Sequence, residues 1–83
     1  MRTVTLTRQA SKALAKMPRN QAHIIRAKID QLARAPEELA ANIKKLTGRP
    51  DYRLRVGDWR VIFNEHGEVL AILAINPRGG AYA

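Results

Sequence analysis

The sequence predicts an α+β fold, a two-helix hairpin packed on a small, mainly antiparallel sheet in the order β-α-α-β-β-β. Two observations predict it. Apolar residues recur at helical spacing up to Ala35, interrupted at Pro18 and stopped at Pro36. From Tyr52 onward the period changes to two, with tight-turn signals at Gly57-Asp58 and His66-Gly67. No repeat, linker or low-complexity tract interrupts residues 1–83, so one domain is expected.

Val4-Thr5-Leu6 suits a short first strand. Thr7 is placed to cap a helix running to about Met17, with Ala10, Ala13, Leu14 and Met17 on one face. Pro18 cannot extend that helix but can open the next, over about Arg19 to Ala35. There Ala22, Ile25, Ile29 and Leu32 form the apolar stripe, and Ile24 and Ala33 are expected to widen it. His23, beside these positions, is expected to be packed. Glu37 to Lys45 reads as a helical turn or a loop, pinned to the core by Ile43 and Leu46.

Gly48-Arg49-Pro50-Asp51 is turn chemistry. Tyr52-Arg53-Leu54-Arg55-Val56 alternates strictly, so it is a strand with one solvated face. Trp59 to Asn64 is the return strand. Val69 to Ile75 is apolar throughout, as in a strand covered on both sides.

Register carries the functional reading. A two-residue turn at Gly57-Asp58 pairs Val56 with Trp59, Arg55 with Arg60, Leu54 with Val61, and Arg53 with Ile62. Tyr52, Leu54, Val56, Trp59, Val61 and Phe63 then face the helices, and Arg53, Arg55 and Arg60 share the other face. Like charges directly opposite one another destabilise a sheet. A bound phosphate would reverse that, because guanidinium forks match its oxygens and stay protonated at working pH. A two-residue turn at His66-Gly67 would further pair Glu65 with Glu68, Phe63 with Leu70, and Arg60 with Leu73. Ile75 then ends near Gly57-Asp58, within reach of a tail that holds Arg78 and Tyr82. A tyrosine there offers a ring to stack on a base. His66 is expected at the far end of the sheet, away from the arginines.

The net charge is +8, with 15 Lys and Arg against 7 Asp and Glu. Such an excess repels itself in the compact state, and nucleic acid or an acidic protein would relieve it. The absence of cysteine excludes disulfides and thiol chemistry. No run approaches the roughly 18 apolar residues of a membrane span, and the N-terminus lacks the apolar run of a signal peptide. A soluble cytoplasmic protein without membrane contact is expected. No cluster of histidines and carboxylates has metal-ligand spacing, and no cofactor is expected.

The stretch from Lys45 to Phe63 resembles the RelE/ParE superfamily of bacterial toxin–antitoxin toxins, and its RelE-like branch in particular. Leu46-Thr47-Gly48 matches Leu-x-Gly. Arg53 to Val61 matches Arg-x-Arg-Val-Gly-Asp-aromatic-Arg-Val. Arg78 and Tyr82 match the closing Arg and Tyr. The resemblance runs nearly end to end and implies a RelE-like fold. It also implies a metal-independent endoribonuclease that cuts messenger RNA on the ribosome, neutralised by a cognate antitoxin through which alone it would contact DNA. It assigns Arg53 and Arg55 to the basic strand positions, Arg60 to phosphate binding, Arg78 to transition-state stabilisation and Tyr82 to base stacking. Three positions depart from the pattern. Relatives often carry lysine where Arg53 and Arg55 stand, and an acidic residue where Gly80 stands. Arginine holds its proton too firmly to act as a base. Two other functions fit the same residues: a ParE-like inhibitor of DNA gyrase, and a noncatalytic basic module that binds RNA or antitoxin.

Overall fold

The computed structural model describes residues 1–77. Strand β1 (Thr3–Leu6) leads into helix α1 (Arg8–Lys16), helix α2 (Arg19–Arg34) and a 3-10 segment (Pro36–Asn42). Strands β2 (Ile43–Lys45), β3 (Tyr52–Val56), β4 (Trp59–His66) and β5 (Val69–Pro77) follow. They form one sheet in the order β1-β5-β4-β3-β2. Only the β1–β5 pairing is parallel; the other three are antiparallel. Among the described residues no helix is long and apolar enough to cross a membrane.

The helices start and stop where local chemistry dictates. The Thr7 hydroxyl accepts from the Ala10 N–H at 3.2 Å, an N-cap bond, and donates to the Leu73 carbonyl at 2.6 Å. One side chain thus starts α1 and ties it to β5. Pro18 stands before α2 and Pro36 opens the 3-10 segment, as proline's fixed φ and missing N–H allow. Ala10, Leu14, Ile25, Ile29, Leu32 and Ala33 bury the helical stripes against Leu54, Val61, Phe63, Leu70, Ile72 and Ile75 of the sheet. Tyr52 and Phe63, directly opposite on β3 and β4, stack with centroids 5.6 Å apart. The Trp59 indole donates to Gln21 Oε1 at 2.8 Å and fixes the start of α2 over the β3–β4 turn.

Four expectations need correction. Ile24 is 50% exposed and His23 is exposed as well. A helical stripe spans little more than about 100°. Ile25, Ile29 and Leu32 set its centre, and residues 23 and 24 turn out of it. The helical turn expected between residues 37 and 45 is present as the 3-10 segment, which buries Leu39; β2 follows it, half-buried Ile43 packs against the core as expected, and Leu46 is half-buried.

The second tight turn is Gly67-Glu68, not His66-Gly67, because His66 pairs with Val69. Gly67 has φ +59°, as Gly57 has +57°, and both occupy the first turn position, where only glycine takes that conformation freely. The β4–β5 register also slips between Ile62 and Phe63. Phe63 pairs with Ile72 but Ile62 pairs with Ala74, so Leu73 is the extra residue of a β-bulge. The bulge returns Ile75 to the core and, together with the shifted turn, puts Asn76 rather than Leu73 opposite Arg60.

Candidate functional site

The β3–β4 hairpin has the register that strict alternation predicts: Arg55 is opposite Arg60, and Arg53 is opposite Ile62. Leu54, Val56, Val61 and Phe63 are buried on the helix side. Arg53, Arg55 and Arg60 therefore share the outer face. Arg55 is exposed; Arg53 and Arg60 are half-buried. Cross-strand neighbours have Cβ atoms roughly 4.5–5.5 Å apart, so the Arg55 and Arg60 side chains leave the sheet side by side.

Strand β2 adds a cation that the sequence reading missed. Lys44 pairs with Arg53 and is exposed. Three residues, Ile43-Lys44-Lys45, are too few to display an alternation, and the pairing that orients them is long-range. Their only local signal is lysine, common on edge strands because it discourages further strand addition. The ion pairs Arg2–Glu65, Arg34–Asp30 and Arg49–Asp51 draw on none of Lys44, Arg53 and Arg55.

The floor of this face is apolar. Ile62 is 1% exposed although it lies outside the core cluster. Arg53 Nε is shielded from solvent and has no acceptor among the described residues. The Arg53 stem therefore lies along the sheet rather than standing off it. An unpaired buried donor is unfavourable for folding alone.

Beside Arg60, the chain secures the end of β5 with Gln9. Past Leu6 strand β1 has ended, and the Gln9 amide takes its place on the β5 edge. The Ile75 N–H donates to Gln9 Oε1 at 2.8 Å, and Gln9 Nε2 donates to the Ile75 carbonyl at 3.1 Å. It also lies 3.2 Å from Asn76 Oδ1. Strand β5 ends at Pro77, opposite Trp59, beside the Gly57-Asp58 turn. Arg78 and Tyr82, the two remaining predicted site residues, lie outside the described residues.

The other end of this face is built differently. Asp51 and Asn64 are each 8% exposed, and Asn64 Nδ2 donates to Asp51 Oδ1 at 3.0 Å. Arg49 Nη2 donates to Oδ2 at 2.6 Å and its Nε to the same oxygen at 3.0 Å. The Asn64 bond holds the Asp51 carboxyl below its ordinary value; burial opposes it, and Arg49 and the charge of His66 assist. This carboxylate is engaged on both oxygens and pins the loop before β3. His66 stands exposed at this end of β4, six positions along the strand from Arg60.

The arrangement thus offers several cations on an apolar floor, near the C-terminal end of β5. Guanidinium groups donate and never accept. The face can hold phosphate oxygens and stabilise negative charge; it offers no base among its arginines.

Comparison with known proteins identifies the family and the fold. The family model described as "ParE toxin of type II toxin-antitoxin system, parDE" matches residues 4–82. No curated protein matches the chain significantly. In the crystal structure of the archaeal RelE–RelB complex from Pyrococcus horikoshii OT3, a chain is 33% identical, with 96% of this chain and 98% of that chain covered and a TM-score of 0.76. The isolated Escherichia coli RelE toxin is similar at 17% identity and TM-score 0.78, with 99% of this chain and 89% of that chain covered. YafQ from E. coli strain BL21(DE3) is similar at 14% identity and TM-score 0.75, with 100% of both chains covered. At those two identities the likeness is one of fold.

Proposed function

We propose that this chain, which belongs to the RelE/ParE superfamily of type II toxin–antitoxin toxins, is a RelE-like endoribonuclease that cuts messenger RNA on the ribosome. Membership accounts for the fold and for the class of toxin. The outer face of the sheet supports the chemistry.

The observation that carries the reading is Arg55 directly opposite Arg60 on a face that packs no core. Folding does not favour that pair, and a phosphate between them would. In the proposed reaction the ribose 2′-oxygen attacks the adjacent phosphorus, the bond to the 5′-oxygen breaks, and a 2′,3′-cyclic phosphate remains. The 2′-hydroxyl loses a proton and the leaving 5′-oxygen gains one. Negative charge accumulates on the phosphoryl oxygens at the pentavalent stage. Arg55 and Arg60 are placed to neutralise it, and Arg53 to orient the strand. Arg78 and Tyr82 complete this proposal as a further charge stabiliser and a base-stacking ring.

A cognate antitoxin belongs to the same proposal. The P. horikoshii chain comes from a RelE–RelB complex, and a similar chain comes from the E. coli RelBE toxin–antitoxin complex. An acidic or amphipathic segment suits a surface with net charge +8. We place the pair in the cytoplasm, where messenger RNA is decoded.

Primer extension on messenger RNA after induction tests the reading. Codon-dependent cuts are expected from the unaltered protein, and none from Arg60→Ala. Absence of cuts from the unaltered toxin, or cuts that persist in Arg60→Ala, would overturn it. The ParE description of the matching family favours a second reading, inhibition of DNA gyrase. Loss of supercoiling activity when purified gyrase meets the toxin, with messenger RNA left intact, would establish that one instead.

A further inference from the structure

We infer that the outer face holds two adjacent phosphates of a single-stranded RNA, not one, and that Lys44 with Arg53 forms the second phosphate subsite. The inference rests on the RNA reading above and extends it to a residue and a recess outside the family pattern.

The sheet register divides the face into two rungs. One crosses Arg55, Arg60 and Asn76; the next crosses Lys44, Arg53, Ile62 and Ala74. Each rung opposes two cations directly, Arg55 with Arg60 and Lys44 with Arg53. Lys44 and Arg53 thus add a second opposed cationic pair to the face beside Arg55, and a second anion would offset it.

The rungs are two residues apart along β3, which is roughly 6.8 Å, while neighbouring strands lie about 4.8 Å apart. The longer spacing is close to that between successive phosphates of an extended single strand. A recess of about 360 Å³ opens at the second rung. Asn42, Lys44, Arg53 and Arg55 line it, together with Ala41, Ile43 and Gly57, and no carboxylate does. Lys44 brings a mobile ammonium and Arg53 a guanidinium whose stem is already laid along the sheet. An RNA backbone held between Arg55 and Arg60 therefore meets a second cationic seat one nucleotide further on.

Edge-strand lysines also discourage aggregation, so a matched control is needed. Lys45 provides it. It is the next residue of the same strand, equally charged and exposed, but it pairs with Tyr52 and projects to the helix side. Lys44→Ala, Lys45→Ala and Lys44→Arg should all fold, since neither lysine is buried.

The experiment measures affinity for 2′-O-methyl oligoribonucleotides, which cannot be cleaved, over a range of salt concentrations. Lys44→Ala should weaken binding of a trinucleotide with two internal phosphates about fivefold and flatten its salt slope by about 0.7. It should leave a dinucleotide with one internal phosphate unaffected. Lys45→Ala should change neither, and Lys44→Arg should restore binding. Equal losses in Lys44→Ala and Lys45→Ala, or a loss independent of phosphate number, would show only a diffuse field and overturn the subsite. Arg55→Ala and Arg60→Ala separate the two levels. If they abolish binding while Lys44→Ala does nothing, the second subsite falls and the RNA reading stands. If they too leave binding unchanged, the RNA reading falls with it.

Discussion

The two faces of the β3–β4 hairpin alternate residue by residue yet obey opposite rules. Toward the helices, Tyr52 pairs with Phe63, Leu54 with Val61 and Val56 with Trp59, and every pair is apolar or aromatic. Away from them, Arg55 meets Arg60, and Arg53 meets a buried isoleucine and Lys44. The inner face is satisfied by the chain itself. The outer face sets like charges opposite one another, an arrangement that the proposed RNA ligand would offset. One strand pair thus separates residues that build the core from the residues proposed to act.

That separation can be broken most forcefully from the inside. Phe63→Ala removes a ring that is 1% exposed and stacked on Tyr52. It should lower stability by about 3–5 kcal/mol, read from urea unfolding. A loss below about 1 kcal/mol would mean that the inner face does not anchor the fold. The complementary change, Arg55→Gln with Arg60→Gln, should reduce RNA cleavage about 100-fold. Its unfolding midpoint should stay level or rise, because an opposed cationic pair is gone. A variant that loses stability and activity together would erase the distinction between the faces.

The Asp51 end of the outer face behaves as structure. Asp51→Ala strands the Asn64 amide and releases Arg49, and should lower stability by about 1–2 kcal/mol with little effect on RNA binding. The folded carboxyl titrates below its ordinary value of 3.8, so its contribution is full above that pH and is lost as pH falls through the lower folded value. The stability gap between the unaltered protein and Asp51→Asn should therefore be widest near neutrality and close in strong acid. Denaturant titrations at several pH values would show it; a gap that widens on acidification contradicts the sign. Last and smallest, moderate salt should raise the stability of the unaltered protein by a few tenths of a kcal/mol through screening. It should do so less for the Arg55→Gln, Arg60→Gln variant, as thermal melts would register.

The readable parts of the fold share a property: each is specified within a few residues. Thr7 caps α1 through its own hydroxyl, Pro18 and Pro36 bound α2, and Gly57 fixes a turn whose flanks alternate without a break. The second turn failed for an identifiable reason. Gly67, like Gly57, takes the first turn position, and placing it second shifted every β4–β5 pair. The bulge at Leu73 had no signature at all, since Val69 to Ile75 is apolar on both sides and gives alternation nothing to mark. Arg53, Arg55 and Arg60 could be grouped from spacing; Lys44, Gln9 and Asn76 could not, because each reaches the site through a pairing or hydrogen bond with a distant segment.

By itself, then, the order of amino acids determined the α+β class, the two helices, the first hairpin and the three arginines on one of its faces. Side-chain period and turn stereochemistry are local and survive without a tertiary context. Only the folded chain decided that β1 runs parallel beside β5, that Lys44 joins Arg53, and that Asn76 stands next to Arg60. Those are choices between registers of nearly equal local energy. Burial of Phe63, Ile72 and Ile75 in a common core selects among them.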